Sequence, residues 1–323
     1  MLTAQDIRGV YAIIPTPAKE GADRWDATDT VDLDETARLV ERLIGDGVSG
    51  LITLGTTGEC ATLSQADYRT FVDCFLATVH KRVPTFVGTT ALGTHDIVAR
   101  IRFVREQGAD GTILGLPMWQ PCTTEMAAQF YTTISEAFPD FAVMAYANAR
   151  AFRYRFPPAF WKLVAERAPT VTSVKVTGLA NLRALLRAGG RRINFLPVVG
   201  EAYTFARVSP DTMTAFWDTS APMGPQPSVA LMDAIQARDW ARAEQVADDI
   251  AWASETFMPP GGEEEFAAYN IQLEKIRFDA AGYCKAGPIR PPYNVIPEHL
   301  AEGARECARR WRTLCEKYAR VKS

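Results

Sequence analysis

Over the first two-thirds of the chain, short runs rich in β-branched and apolar residues alternate with segments whose apolar positions recur every three to four residues. The runs predict strands at Gly9–Pro15, Gly50–Leu54, Thr85–Thr89, Gly111–Leu116, Phe141–Tyr146, Val171–Val176, Ile193–Val198 and Met213–Trp217. Several are almost wholly apolar, as strands covered on both faces tend to be. The amphipathic segments predict helices at Leu33–Ile44, Gln65–Val79, Asp96–Gln107, Thr124–Ala137, Pro158–Ala168 and Leu179–Ala188. Asp32, Ser64 and Thr123 stand where N-caps for three of them belong.

Eight strands alternating with helices is the pattern of an α/β (β/α)8 TIM barrel. A spacing of roughly 25–35 residues between strands fits a right-handed crossover each time. A doubly wound sheet satisfies the same alternation. After about Pro227 the strands stop, and helices are predicted at Ser228–Ala237, Trp240–Thr256, Glu264–Ala281 and Glu298–Tyr318. The expected organisation is a barrel carrying the active site over residues 1–256 and a C-terminal helical extension over 257–323.

Composition removes several classes of function. The 323 residues carry a formal net charge of −3, with both signs interleaved. A nucleic-acid or membrane-surface protein would show a basic stripe. No apolar run approaches the roughly 18 residues of a membrane span, and the N-terminus lacks the pattern of a signal peptide. The expectation is a cytoplasmic protein with neither nucleic-acid nor membrane partners. The six cysteines form no C-x-x-C pair and the three histidines lie far apart, so no metal site is expected. Cys60, beside a Gly-rich turn, is the one candidate thiol, and a small buried residue is the simpler reading.

Three segments carry candidate chemistry. Lys175 lies within Thr170-Val-Thr-Ser-Val-Lys-Val-Thr-Gly178, a β-branched run, whereas the other lysines fall in polar or helical surroundings that read as solvated. Burying an ammonium is costly, and desolvation moves a lysine towards its nucleophilic, neutral form. Alternation puts Val171, Ser173, Lys175 and Thr177 on one face. A Schiff-base lysine fits there, as does a strand-end lysine paired with a carboxylate. Gly50-Leu-Ile-Thr-Leu-Gly-Thr-Thr-Gly-Glu59 runs from a strand into a turn whose N–H groups, with Thr56 and Thr57, suit a small anion; such a turn is also often only a tight loop. Phe141-Ala-Val-Met-Ala-Tyr-Ala-Asn148 ends with Tyr146 and Asn148 on one strand face, a phenol for proton transfer beside an amide for orientation. Each segment sets polar groups at the C-terminal end of a strand, where barrel active sites lie.

Together, Gly55-Thr-Thr-Gly-Glu59, Tyr146, and Lys175 followed by Gly178 resemble the pyruvate-dependent class I aldolase superfamily of dihydrodipicolinate synthase and N-acetylneuraminate lyase. The resemblance implies that Lys175 forms a Schiff base, that Thr56 and Thr57 hold the pyruvyl carboxylate, and that Tyr146 is the general acid/base. It implies a homotetramer and no cofactor beyond the lysine. Members that make dihydrodipicolinate usually show Tyr-Asn-x-Pro on strand five and a tyrosine after strand four. Here the stretches read Tyr146-Ala-Asn-Ala-Arg150 and Gly115-Leu-Pro-Met-Trp119.

These variants look like the hydratase-aldolase branch, which acts on benzylidenepyruvates in polycyclic aromatic catabolism. Tyr269-Asn-Ile271, Leu273-Glu-Lys275, Asp279-Ala-Ala-Gly282, Lys285-Ala-Gly-Pro and Arg290-Pro-Pro-Tyr-Asn294 support the likeness. It implies an aromatic 2-keto acid substrate, hydrated and then cleaved to an aromatic aldehyde and pyruvate. Asn148 would position the water, Asn270 the ketone side and Trp119 the aryl ring. Thr57 keeps a small hydroxyl where the hydroxy-substrate enzymes can carry an aromatic residue, which favours trans-o-carboxybenzylidenepyruvate over trans-o-hydroxybenzylidenepyruvate. Other readings are a sugar-acid or dihydrodipicolinate-type aldolase, a nicotinamide oxidoreductase and a non-catalytic ligand-binding protein. The oxidoreductase lacks its G-x-G-x-x-G.

Overall fold

The computed structural model describes residues 1–319; the last four residues of the 257–323 extension lie outside the described residues. The chain is a TIM barrel with C-terminal helices. Its elements run β1 (Gly9–Ile13), α1 (Leu33–Gly45), β2 (Gly50–Thr53), α2 (Gln65–Val79), β3 (Thr85–Gly88), α3 (Thr94–Glu106), β4 (Gly111–Leu114), α4 (Thr124–Ala137) and β5 (Ala142–Ala147). They continue with α5 (Ala149–Phe152), α6 (Pro158–Arg167), β6 (Val171–Val176), α7 (Leu182–Gly189), β7 (Asn194–Leu196), α8 (Ala202–Val208) and β8 (Ala215–Asp218). The C-terminal helices are α9 (Gln226–Gln236), α10 (Trp240–Ser254), α11 (Gly262–Ala281) and α12 (Glu298–Lys317). The strands form one sheet in the order β7-β6-β5-β4-β3-β2-β1-β8. A parallel bridge from Val198 to Trp217 joins the two ends of that order.

Local chemistry sets several of these boundaries. The side chains of Asp32, Ser64 and Thr123 accept from the N–H groups of Glu35, Asp67 and Met126 at 2.9, 3.0 and 3.2 Å. Each satisfies a donor that a helix start leaves open, worth about 1 kcal/mol. The helix expected from Leu179 begins only at Leu182, because Gly178 and Asn181 both adopt left-handed backbone, φ +85° and +62°. The helices α5 and α8 were not expected; at four and seven residues they are too short to display a helical repeat.

The chain divides into two compact units. One comprises Met1–Gly9 and Pro84–Trp217. Its interior includes an aromatic cluster: Trp161 packs edge-on against Phe160 and Phe195 at ring separations of 4.8 and 5.4 Å. The Asn194 amide donates to the carbonyls of Ala4 and Ile7, tying the N-terminal segment to β7. The other unit comprises Val10–Val83 and Asp218–Ser323. There Leu273, Leu300 and Ala304 bury α11 against α12, and the Trp311 indole donates to the Gly224 carbonyl at 2.9 Å. Among the described residues no helix is long and apolar enough to cross a membrane.

Candidate active site

In the first unit β5 and β6 run parallel with Tyr146 in register opposite Lys175. Lys175 is 8% exposed. Its Nζ lies 3.3 Å from the centroid of the Trp217 ring and 4.7 Å from that of Tyr146. Of the face expected around Lys175, Val171 and Ser173 are buried, and among the described residues the Ser173 hydroxyl has no hydrogen-bond partner. Thr177 departs from it, lying beyond the strand end at Val176 and exposed. Trp217, near the end of β8, is 6% exposed and donates from Nε1 to the Val176 carbonyl at 2.9 Å. The indole is thus fixed to the strand that carries the lysine.

Tyr146 and Asn148 meet, though not along one strand face as the alternation suggested. The strand ends at Ala147, and Asn148 becomes the N-cap of α5. Its Oδ1 accepts from the N–H groups of Arg150 and Ala151 at 3.2 and 3.1 Å, which leaves Nδ2 to donate to the Tyr146 hydroxyl at 3.3 Å. At the other end of this turn Phe152 packs edge-on against Tyr146, with ring centroids 5.2 Å apart. Space for Phe152 comes from Gly115, where a Cβ would fall 2.0 Å from the ring. Arg153 follows in a left-handed conformation, and its guanidinium donates to the Trp119 carbonyl at 2.9 Å. The Trp119 side chain is 77% exposed.

In the second unit the segment after β2 turns at Leu54 and Glu59, both left-handed. Thr56 is half-buried and Thr57 buried. Gly58 permits the turn's closure, since a Cβ there would lie 2.6 Å from the Leu54 nitrogen; the Thr16 hydroxyl then donates to the Gly58 carbonyl at 2.8 Å. Asn270 is half-buried on α11, directly after a kink at Tyr269, whose φ/ψ of −122°/18° interrupts the helix.

Glu59 is an anchor of the fold. It is fully buried, and one carboxylate oxygen accepts from Lys275 Nζ at 2.9 Å and Arg290 Nη1 at 2.5 Å. The other accepts from the Arg290 backbone N–H. The expectation that every lysine but Lys175 is solvated therefore fails at Lys275, which is 1% exposed. Burial lowers its pKa, opposed by the neighbouring Glu59. Asp279 accepts from the N–H groups of Ala286 and Gly287. Lys275, Asp279 and Arg290, from the motifs that mark the resemblance near the C-terminus, thus serve the scaffold.

The structure gathers Lys175, Tyr146 and Asn148 into one cluster, and places Thr56 and Thr57 in one turn. Sequence alone does not single out Trp217, which closes the expected strand Met213–Trp217, or Phe152, which lies in none of the expected elements. A Trp closing a barrel strand was a usable signal, whereas Phe152 acquires meaning only through Gly115. Among the described residues no group of three His, Cys, Asp or Glu side chains is arranged to hold a metal.

Residues 22–188 match the Dihydrodipicolinate synthetase family. A trans-O-hydroxybenzylidenepyruvate hydratase-aldolase of Pseudomonas aeruginosa is 43% identical over 322 residues, covering 98% of this chain and 96% of that protein. The trans-2'-carboxybenzalpyruvate hydratase-aldolase of Nocardioides sp. strain KP7 is 38% identical over 320 residues, 98% of this chain and 96% of its own. The solved structure of PhdJ bound to substrate intermediate superimposes with a TM-score of 0.96 at 38% identity, covering 98% of this chain and 99% of the other.

Proposed function

Because the chain belongs to the dihydrodipicolinate synthetase family, we propose that it is a Schiff-base hydratase-aldolase that cleaves an ortho-substituted benzylidenepyruvate to an aromatic aldehyde and pyruvate. Full-length identity of 38–43% to enzymes of that name supports the reaction. The observation that carries the chemistry is Lys175: an amine buried in a strand, in register with a tyrosine and set between two aromatic faces.

In this reading Lys175 Nζ attacks the substrate's 2-keto carbon and the keto oxygen leaves as water. The resulting iminium withdraws electrons through the conjugated alkene. Water adds with its hydroxyl at the benzylic carbon, and the enamine so formed takes a proton at the adjacent carbon, which restores the iminium. Tyr146 then removes the proton of the new hydroxyl, the C–C bond breaks, and its electron pair moves into the iminium to give an enamine. Protonation of the enamine carbon and hydrolysis release pyruvate and the free lysine. The lysine supplies the electron sink, so the reaction needs no separate cofactor.

Thr56 and Thr57 hold the substrate carboxylate in this proposal. Asn148, already donating to the Tyr146 hydroxyl, orients the attacking water; Asn270 addresses the ketone side. Trp119, whose backbone Arg153 holds, offers its indole to the aryl ring. We assign the working form as a homotetramer, as the resemblance to the aldolase superfamily implies. Six unbridged cysteines support a reducing, cytoplasmic location.

The reading is tested by supplying pyruvate with salicylaldehyde or 2-carboxybenzaldehyde and following the absorbance of the conjugated condensation product. Product from either aldehyde supports the function, and the ratio of kcat/KM values identifies the ortho substituent. Absence of product from both, with turnover of an aliphatic aldehyde, would move the chain to a sugar-acid type of aldolase.

A further inference from the structure

We propose that Trp217 is a catalytic residue of this site: its indole face holds the Lys175 nitrogen and stabilises the cationic iminium formed on it. The inference rests on the Schiff-base reading above and deepens it. Three observations converge. The Nζ stands 3.3 Å from the indole centroid, well inside the roughly 6 Å over which a cation is attracted to an aromatic face. Both side chains are buried, so water does little to screen that attraction. The ring is also fixed, by its Nε1 hydrogen bond to the carbonyl of Val176, the residue after the lysine, and by the bridge from Val198 to the Trp217 backbone.

The charge balance of the condensation says where this matters. A neutral amine forms the C–N bond. The keto oxygen departs as water, carrying one proton from the amine and one taken from Tyr146 or solvent. The remaining positive charge sits on a planar C=N–H group at the position of Nζ. Tryptophan presents the strongest π-face of any side chain, phenylalanine a weaker one, and leucine none. The indole therefore favours the iminium over the separated ketone and amine, and it holds that group flat against a rigid plane.

The test is the pyruvate concentration that gives half-maximal borohydride-trapped adduct on Lys175, compared for wild type, Trp217→Phe and Trp217→Leu, with thermal midpoints recorded alongside. Both variants lose the Nε1 hydrogen bond; only leucine loses the ring face. The expected result is a rise of about tenfold or more for Trp217→Leu and a distinctly smaller one for Trp217→Phe, out of step with the changes in midpoint. Equal shifts in the two variants, or none, would overturn the role of Trp217 while leaving the Schiff base intact. Absence of any Lys175 adduct in wild type would overturn the underlying reading, and this inference with it.

Discussion

The ring of Phe152 occupies the place where a side chain at residue 115 would begin: a Cβ on Gly115 would lie 2.0 Å from it. Phe152 also packs edge-on against Tyr146. Gly115→Ala therefore displaces Phe152, and Tyr146 with it, from the positions they hold beside Lys175. The expected result is a fall of tenfold or more in kcat, since small displacements of a catalytic group are costly, with a stability loss of about 1–3 kcal/mol from overpacking. Steady-state kinetics with denaturant unfolding checks both. An unchanged kcat would show that the Phe152 contact does not set the position of Tyr146.

Asn148 has two separable tasks, capping α5 through Oδ1 and donating to Tyr146 through Nδ2. Aspartate caps as well as asparagine but cannot donate when ionised. Asn148→Asp is expected to keep its stability within about 0.5 kcal/mol and to lose most of its aldolase rate. Asn148→Ala should lose the rate and a further ~1 kcal/mol of stability. Equal rates in wild type and Asn148→Asp would contradict the proton-transfer arrangement.

The Glu59–Lys275–Arg290 cluster predicts a structural effect rather than a chemical one. Removing one member of a buried ionic group leaves an uncompensated charge, at a cost of roughly 3–5 kcal/mol. Glu59→Ala should therefore lower the unfolding midpoint sharply. The folded fraction should trap pyruvate on Lys175 at the wild-type half-saturation. Loss of trapping without loss of stability would place Glu59 in the substrate site.

Buried Asp218 accepts hydrogen bonds from the Ser220 N–H and the Ser228 hydroxyl. Burial nevertheless raises its pKa, the hydrogen bonds opposing the shift. Above the ordinary carboxylate value of about 3.9, the folded chain then keeps a proton that the unfolded chain releases. That stabilisation is full below the ordinary value and is lost as pH rises through the raised one. Glu274 is shifted the same way by burial and is present in both proteins compared. The thermal midpoint of Asp218→Asn relative to wild type should therefore climb as pH increases from about 4. A pH-independent difference would contradict it.

The alternation of strands and helices was legible because its signals are local, whereas closure into a barrel rather than an open sheet is not written in any one segment. Runs such as Gly50–Thr53 and Val171–Val176 announce strands by composition, and Asp32, Ser64 and Thr123 announce helix starts by cap chemistry. Lys175 stood out for the same reason: a charge in a β-branched run conflicts with its surroundings. Tertiary relationships were not legible. Lys275 looks solvated on its helix until Glu59, 216 residues earlier, is seen to hold it. Trp217 looks like core until Lys175 is found over its ring. The link from Asn148 to Tyr146 depends on a single helical turn that has no periodicity of its own.

The central claim is that Lys175 is the nucleophile, and borohydride reduction in the presence of pyruvate, followed by peptide mass mapping, tests it most directly. The account predicts one reduced pyruvyl adduct per chain, on Lys175, and none in Lys175→Ala. An adduct on Lys275 or another lysine, or pyruvate binding that survives in Lys175→Ala without covalent trapping, would contradict it.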